Sequence, residues 1–172
     1  MKKYTEWFLG LICAMVCLEV TAFAENLHRV GAGIHYWASI EDILIDEADD
    51  DGLAVILSYQ HQFLKLFTLE ADLEFMGKGY AGAPEAIVAP QCYALVGRGL
   101  YAGTGVGISY TGGEWNETPF WAVRAGFDLE LLPSIFLDLN VNYRTERWEL
   151  HLLKDELTLK TITTGAVLRY EF

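Results

Sequence analysis

The stretch "TTGAVLRYEF", residues 163–172, sets Leu168, Tyr170 and Phe172 at every second position, with Arg169 and Glu171 between them. Chain ends are ordinarily frayed and polar. This alternation instead describes a strand with one apolar and one charged face. What the apolar face touches decides the fold.

The same pattern recurs upstream. Val30, Ala32, Ile34, Tyr36 and Ala38 share one face, and Arg29, Gly31, Gly33, His35 and Trp37 the other. Leu53, Val55, Leu57 and Tyr59 oppose Ser58, Gln60 and Gln62; Phe67, Leu69, Ala71, Leu73 and Phe75 oppose Thr68, Glu70, Asp72 and Glu74. A fourth strand is expected from about Ile87 to Val96, with a weaker pattern and Pro90 inside it; proline is tolerated only at an edge, an end or a bulge. A fifth sets Ala102, Thr104, Val106, Ile108 and Tyr110 against Tyr101, Gly103, Gly105, Gly107 and Ser109, whose glycines leave room where a small barrel is crowded. Trp121 to Leu131 and Ile135 to Tyr143 form two more, with Arg124, Asp128, Glu130, Asp138, Arg144 and Glu146 on their polar faces. The closing stretch makes eight.

Composition narrows the class. The 172 residues carry a formal net charge of −12, so no basic patch is available to neutralise nucleic-acid phosphates. Hydrophobic residues make up 52%, too many for a disordered chain. "MKK", an apolar run from Phe8 to Leu18 and "AFA" before Glu25 have the layout of a cleavable secretory signal over residues 1–24. The run covers about half the ~20 residues that a spanning helix needs. Cleavage removes Cys13 and Cys17 and leaves Cys92 alone, which excludes a disulfide scaffold and reads as a small packing residue.

A soluble barrel would bury its apolar face inward. Two features favour the inverse. The polar faces are crowded with charge, while no helical segment is available to cover the apolar ones. Long connections follow strands one, three, five and seven, and short ones follow two, four and six. That is the asymmetry of an up-and-down barrel in an outer membrane. Eight spans of ~10 residues use about 80 residues, leaving ample chain for loops. The expected fold is therefore all-β, a closed up-and-down antiparallel transmembrane β-barrel of about eight strands over residues 25–172.

At this point a family resemblance appears. Thr163-x-Gly165-x-x-Leu168-x-Tyr170, followed by Phe172, resembles the C-terminal assembly signal of small eight-stranded outer-membrane proteins, the OmpA-like and OmpX-like group. "YAGTGVGISY" and "LDLNVNYR" are similar to strands of that group. The resemblance implies recognition by the outer-membrane barrel assembly machinery; a monomer in contact with outer-membrane lipid and lipopolysaccharide is the expected state.

An eight-stranded barrel is just wide enough to be filled by side chains. The inward set Arg29, Glu70, Asp72, Glu74, Arg124, Asp128, Glu130, Asp138, Arg144, Glu146, Arg169 and Glu171 is therefore expected to form a paired plug, since isolated charges are costly there. With acids in excess, some must be protonated, hydrated or near a barrel end. Arg124, Asp138, Arg144 and Arg169 are expected to pair with one another, because their strands are adjacent.

No catalytic set is expected. Lipid A-modifying barrels need serine, histidine and a carboxylate, and neither His28, His35, His61 nor His151 forms a His-x-Ser pair on one strand face. His35 reads as a lumen residue and His61 as an interfacial one. "DEADDD" lacks EF-hand spacing and reads as solvated loop charge, so neither metal nor cofactor is expected. Tyr36, Tyr110 and Trp121 fit an interfacial aromatic belt. The expected role is structural or one of surface contact, through loops near 41–52, 77–88, 111–119 and 150–157. The alternatives are a narrow porin-like channel or carrier for small solutes, a lipid-modifying enzyme, and a soluble ligand-binding barrel.

Overall fold

Strands form where β-branched, aromatic and small apolar side chains alternate with polar ones, since successive side chains point to opposite faces of the pleat. The computed structural model describes residues 27–40, 51–80, 83, 85–149 and 156–172, with backbone alone for 146–149 and 156–159. The proposed signal segment 1–24, residues 46–50 of the acidic loop, His151 and the side chain of Glu146 lie outside the described residues.

The strands are β1 (Leu27–Ser39), β2 (Asp51–Leu64), β3 (Phe67–Met76), β4 (Ile87–Arg98), β5 (Leu100–Gly107), β6 (Tyr110–Thr111), β7 (Glu114–Trp115), β8 (Phe120–Leu132), β9 (Ile135–Glu149) and β10 (Glu156–Glu171). Eight of them form the barrel wall, and β6 with β7 makes a small hairpin beyond it. Each wall strand is antiparallel to its neighbours. β1 pairs with β10 from Arg29↔Glu171 to Ser39↔Thr161, and β3 pairs with β4, so the sheet closes on itself. Closure leaves no unpaired edge, which hydrocarbon would penalise. Lys65–Leu66, Gly99 and Pro133–Ser134 are the tight turns at one end, and the longer connections lie at the other. Gly99 (φ 75°) takes the left-handed backbone that its one-residue turn requires.

Pro90 has an identifiable effect. The β4–β5 ladder runs from Arg98↔Leu100 to Gln91↔Gly107, then resumes in the same register at Val88↔Tyr110. Proline has no N–H to donate, and its carbonyl accepts from Ile108 N at 3.1 Å. The proline therefore separates β5 from β6 without ending β4. Beyond it, Gly112 and Gly113 (φ 62° and 89°) turn the β6–β7 hairpin, and the Tyr110 ring packs 5.0 Å from Trp115. Tyr110 thus belongs to this hairpin, and the 111–119 connection is partly strand.

The barrel is inside-out relative to a water-soluble one. Ile34 is 59% exposed and Leu168 54%, whereas Arg124 is 0% and Arg169 1% exposed. Val30, Val55, Leu57, Leu69, Val123, Leu139, Val141 and Ile162 extend the apolar surface around the wall. A contiguous apolar surface of that extent marks a membrane contact, and this orientation excludes the soluble barrel with an apolar interior. Leu168, Tyr170 and Phe172 all face outward. Cys92 is exposed on the same surface, its cross-strand partners being Ala71 and Val106, so it meets lipid and does not pack in a core. Tyr36, Trp121 and Tyr143 lie toward the long-loop end of the wall, and Tyr59, Tyr170 and Phe172 toward the tight-turn end. Val141→Arg, on the lipid side of mid-β9, is expected to cost about 2–4 kcal/mol, read as a lowered urea midpoint for refolding into lipid vesicles.

Candidate functional site

Inward positions of the eight strands build the lumen in three levels. At the tight-turn end, Arg29 of β1 donates to Asp128 of β8 and, through Nε at 2.8 Å, to Glu171 of β10. Its guanidinium lies 3.7 Å above the Phe136 ring. Glu130 sits at the rim of the same mouth, exposed. These three acids are the ones placed near a barrel end, where water reaches them. Here the barrel encloses a cavity of about 850 Å³, bounded also by Gln60, Gln62, Thr68, Leu95 and Tyr101.

The middle level is a cross-lumen network. Glu70 on β3 takes Arg124 Nη1 from β8 and Arg169 Nη2 at 2.8 Å from β10 on the same oxygen. Its second oxygen accepts from Gln60 Nε2 at 2.6 Å. Arg124 Nη1 also reaches Asp72 Oδ2 at 2.7 Å, its Nε donates to Asn142 Oδ1 at 2.5 Å, and its plane lies 3.8 Å from the Tyr93 ring. Asp138 on β9 holds Arg169 Nη1 at 2.7 Å as an ion pair and accepts from Tyr101 Oη and Asn140 Nδ2, both at 2.6 Å.

Toward the long loops the lining turns aromatic. Arg144 on β9 donates to Glu74 at 3.2 Å and to the phenol of Tyr80, and its guanidinium lies 4.5 Å from the Phe120 ring. His35 Nδ1 lies 2.8 Å from the other Glu74 oxygen. Tyr80 meets Trp37 edge-on at 4.7 Å, and Ala54, Met76, Ala83, Ile87 and Ala89 complete a buried apolar layer with them.

Only one of the pairings expected between adjacent strands is present, Arg169 with Asp138. Arg124 and Arg144 reach instead to the carboxylates of β3. The reason is geometric: cross-strand neighbours point their long side chains into the lumen, where the nearest opposite charge is across the bore. β3 carries Glu70, Asp72 and Glu74 on one wall, and among the described side chains β8, β9 and β10 supply Arg124, Arg144 and Arg169 from the facing arc.

Large rings fit because glycines face them. A Cβ on Gly126 would lie 2.3 Å from Tyr101 Oη, one on Gly105 2.4 Å from the Tyr93 ring, and one on Gly165 2.1 Å from His35 Cδ2. Gly165 belongs by resemblance to the assembly signal, and the structure adds a packing reason for it. Thr163 is buried on the same inward face. Tyr80 has no sequence signal, since it sits in a connection outside any strand period. Tyr93 and Gln91 were legible only as inward positions of a weakly patterned strand.

No family model matches the sequence, and no curated protein is close enough in sequence to count as a relative. Solved structures resemble it in shape. Neisserial surface protein A is 14% identical with a TM-score of 0.60, over 87% of this chain and 98% of that one. The outer membrane protein OprG from Pseudomonas aeruginosa is 13% identical with a TM-score of 0.53, over 86% and 96%. A de novo designed transmembrane β-barrel is 11% identical with a TM-score of 0.50, over 87% and 98%. Together with the outward apolar surface and the closed strand order, these likenesses give the chain the eight-stranded fold of the small outer-membrane β-barrels.

Proposed function

We propose that this chain is an integral outer-membrane protein whose barrel is a sealed scaffold, with a structural or surface-contact role carried by the loops at the long-connection end. The observation that carries this reading is Glu70, bonded from two sides by Arg124 and Arg169 across the bore. A lumen crossed by fully buried ion pairs is poorly suited to passing solutes, because opening it would leave charges unpaired. The apolar layer around Tyr80 and Trp37 adds a second closure. The loop sequences are short and mostly acidic, with Glu41, Asp42, Asp46, Glu47, Glu114 and Glu117 among their charges. A basic partner surface complements them better than an anionic one.

Residues 1–24 direct export and are removed before Glu25, the barrel assembly machinery inserts the rest, and the barrel works as a monomer among lipid and lipopolysaccharide. A non-catalytic role is part of this proposal, and it is supported by His28 bonding Tyr59 and His35 bonding Glu74 in place of a serine. In planar bilayers the refolded barrel is expected to pass no steady current. Stepwise conductance would overturn the sealed scaffold in favour of a narrow porin-like channel. Lipid A mass spectra with and without the protein are expected to coincide, and a mass change would mark a lipid-modifying enzyme.

A further inference from the structure

The cavity at the tight-turn mouth is not used by a role resting on the opposite loops. Its charges are segregated around the ring of strands. Lys65 lies in the β2–β3 turn and Arg98 at the end of β4, on one arc. Asp128 and Glu130 of β8 and Glu171 of β10 lie on the facing arc. Arg29 stands among these acids, tied to Asp128 and Glu171. That still leaves Glu130 without an ion-pair partner among the described residues, and Asp128 Oδ1 buried without a hydrogen bond. Lys65 and Arg98 likewise have no carboxylate partner among the described residues.

The cavity is closed inward by Gln60 and Tyr101, both held in the network above it. Leu95 and Phe136 contribute apolar wall between the two charged arcs. A site of this kind repels an ion of either single sign from one of its arcs. It suits a ligand carrying an ammonium at one end and a carboxylate at the other. The volume, about 850 Å³, is within the range of small-molecule pockets and larger than one amino acid needs. An extended tripeptide spans about 10 Å, enough to reach from one arc toward the other.

We propose that this mouth is a blind binding site for short zwitterionic peptides of two or three residues, entering from the tight-turn side. The peptide ammonium meets Asp128 and Glu130, its carboxylate meets Lys65 and Arg98, and its side chains lie against Leu95 and Phe136.

The test is an NMR titration of the isotope-labelled barrel in lipid nanodiscs with trialanine. Saturable amide shifts are expected at Gln62, Thr68 and Asp128. N-acetyl-trialanine and trialanine amide, each lacking one terminal charge, are expected to bind about tenfold more weakly, the effect of losing one charge-assisted contact. Lys65→Gln and Glu130→Gln change exposed rim residues outside the buried network and are each expected to weaken trialanine by about tenfold. Equal affinity for the capped peptides overturns the proposal, as does the absence of saturable shifts. Shifts confined to the loop end, at Ile40 or Trp115, overturn it as well.

Discussion

Arg124→Leu is expected to prevent the barrel from refolding, or to lower its urea midpoint drastically. The leucine fills part of the volume but strips the positive charge from between Glu70 and Asp72, both on β3 and both buried. Glu70 keeps Arg169, whereas Asp72 loses the one cation that pairs with it among the described residues. Removing one partner of a buried pair costs roughly 3–5 kcal/mol, a large share of the 5–15 kcal/mol that holds a typical domain together. Adding Asp72→Asn to Arg124→Leu removes the stranded acid and is expected to recover part of the loss. Lys78→Leu, in an exposed connection, serves as the control and is expected to shift stability by less than about 0.5 kcal/mol. The readout is the boiling-dependent shift on SDS gels together with urea titration in detergent. An unchanged midpoint for Arg124→Leu would mean that the buried acids do not depend on their arginines.

Gly165→Val is expected to be equally damaging, for a steric reason. The first added carbon would lie 2.1 Å from His35 Cδ2 and 2.4 Å from Nε2. The imidazole has little freedom to move aside, being 1% exposed and bonded to Glu74 at 2.8 Å. Overpacking a tight interior costs about 1–3 kcal/mol when neighbours can relax, and more when they cannot. His35→Ala in the same chain opens the space, so the double variant is expected to refold where the single one does not. Refolding from urea into detergent involves no assembly machinery, which separates packing from signal recognition. If Gly165→Val refolds normally in detergent but does not assemble in cells, the glycine is read by the machinery and the packing account is wrong.

Both effects depend on features of unequal legibility in the sequence. Period-two alternation locates the wall, because one-residue steps exchange lipid for lumen and each strand carries several independent votes. Asp138 and Arg169 could be read as inward for that reason, and so could His35. Which inward residue touches which is a different matter. It depends on the stagger of strands around the barrel and on the reach of each side chain, neither of which is periodic. Arg124 therefore forms its ion pairs three strands away, with Glu70 and Asp72, and not with Asp138 on the adjacent β9. Tyr80 was hidden for a related reason: a residue in a connection has no face until the connection folds over the mouth. Pro90 inside a strand implies only an edge, an end or a bulge, and its actual effect, splitting one partner strand while leaving its own intact, required the ladder to be seen.

The segregation of charge between β3 and the β8–β10 arc bears on how the barrel is made. Glu70 and Arg124 are 54 residues apart, Glu74 and Arg144 are 70, and Glu70 and Arg169 are 99. A partly inserted sheet of β1 to β4 would carry three carboxylates toward hydrocarbon with none of the three arginines yet present. Such an intermediate is disfavoured, because each charge would lack its counterion. Insertion should therefore be close to all-or-none, with the early strands waiting at the membrane surface until the late ones arrive. Contacts this distant in the chain also make for slow folding. The ion pairs that hold the finished lumen thus act as a checkpoint, allowing only a nearly complete barrel to cross into the bilayer.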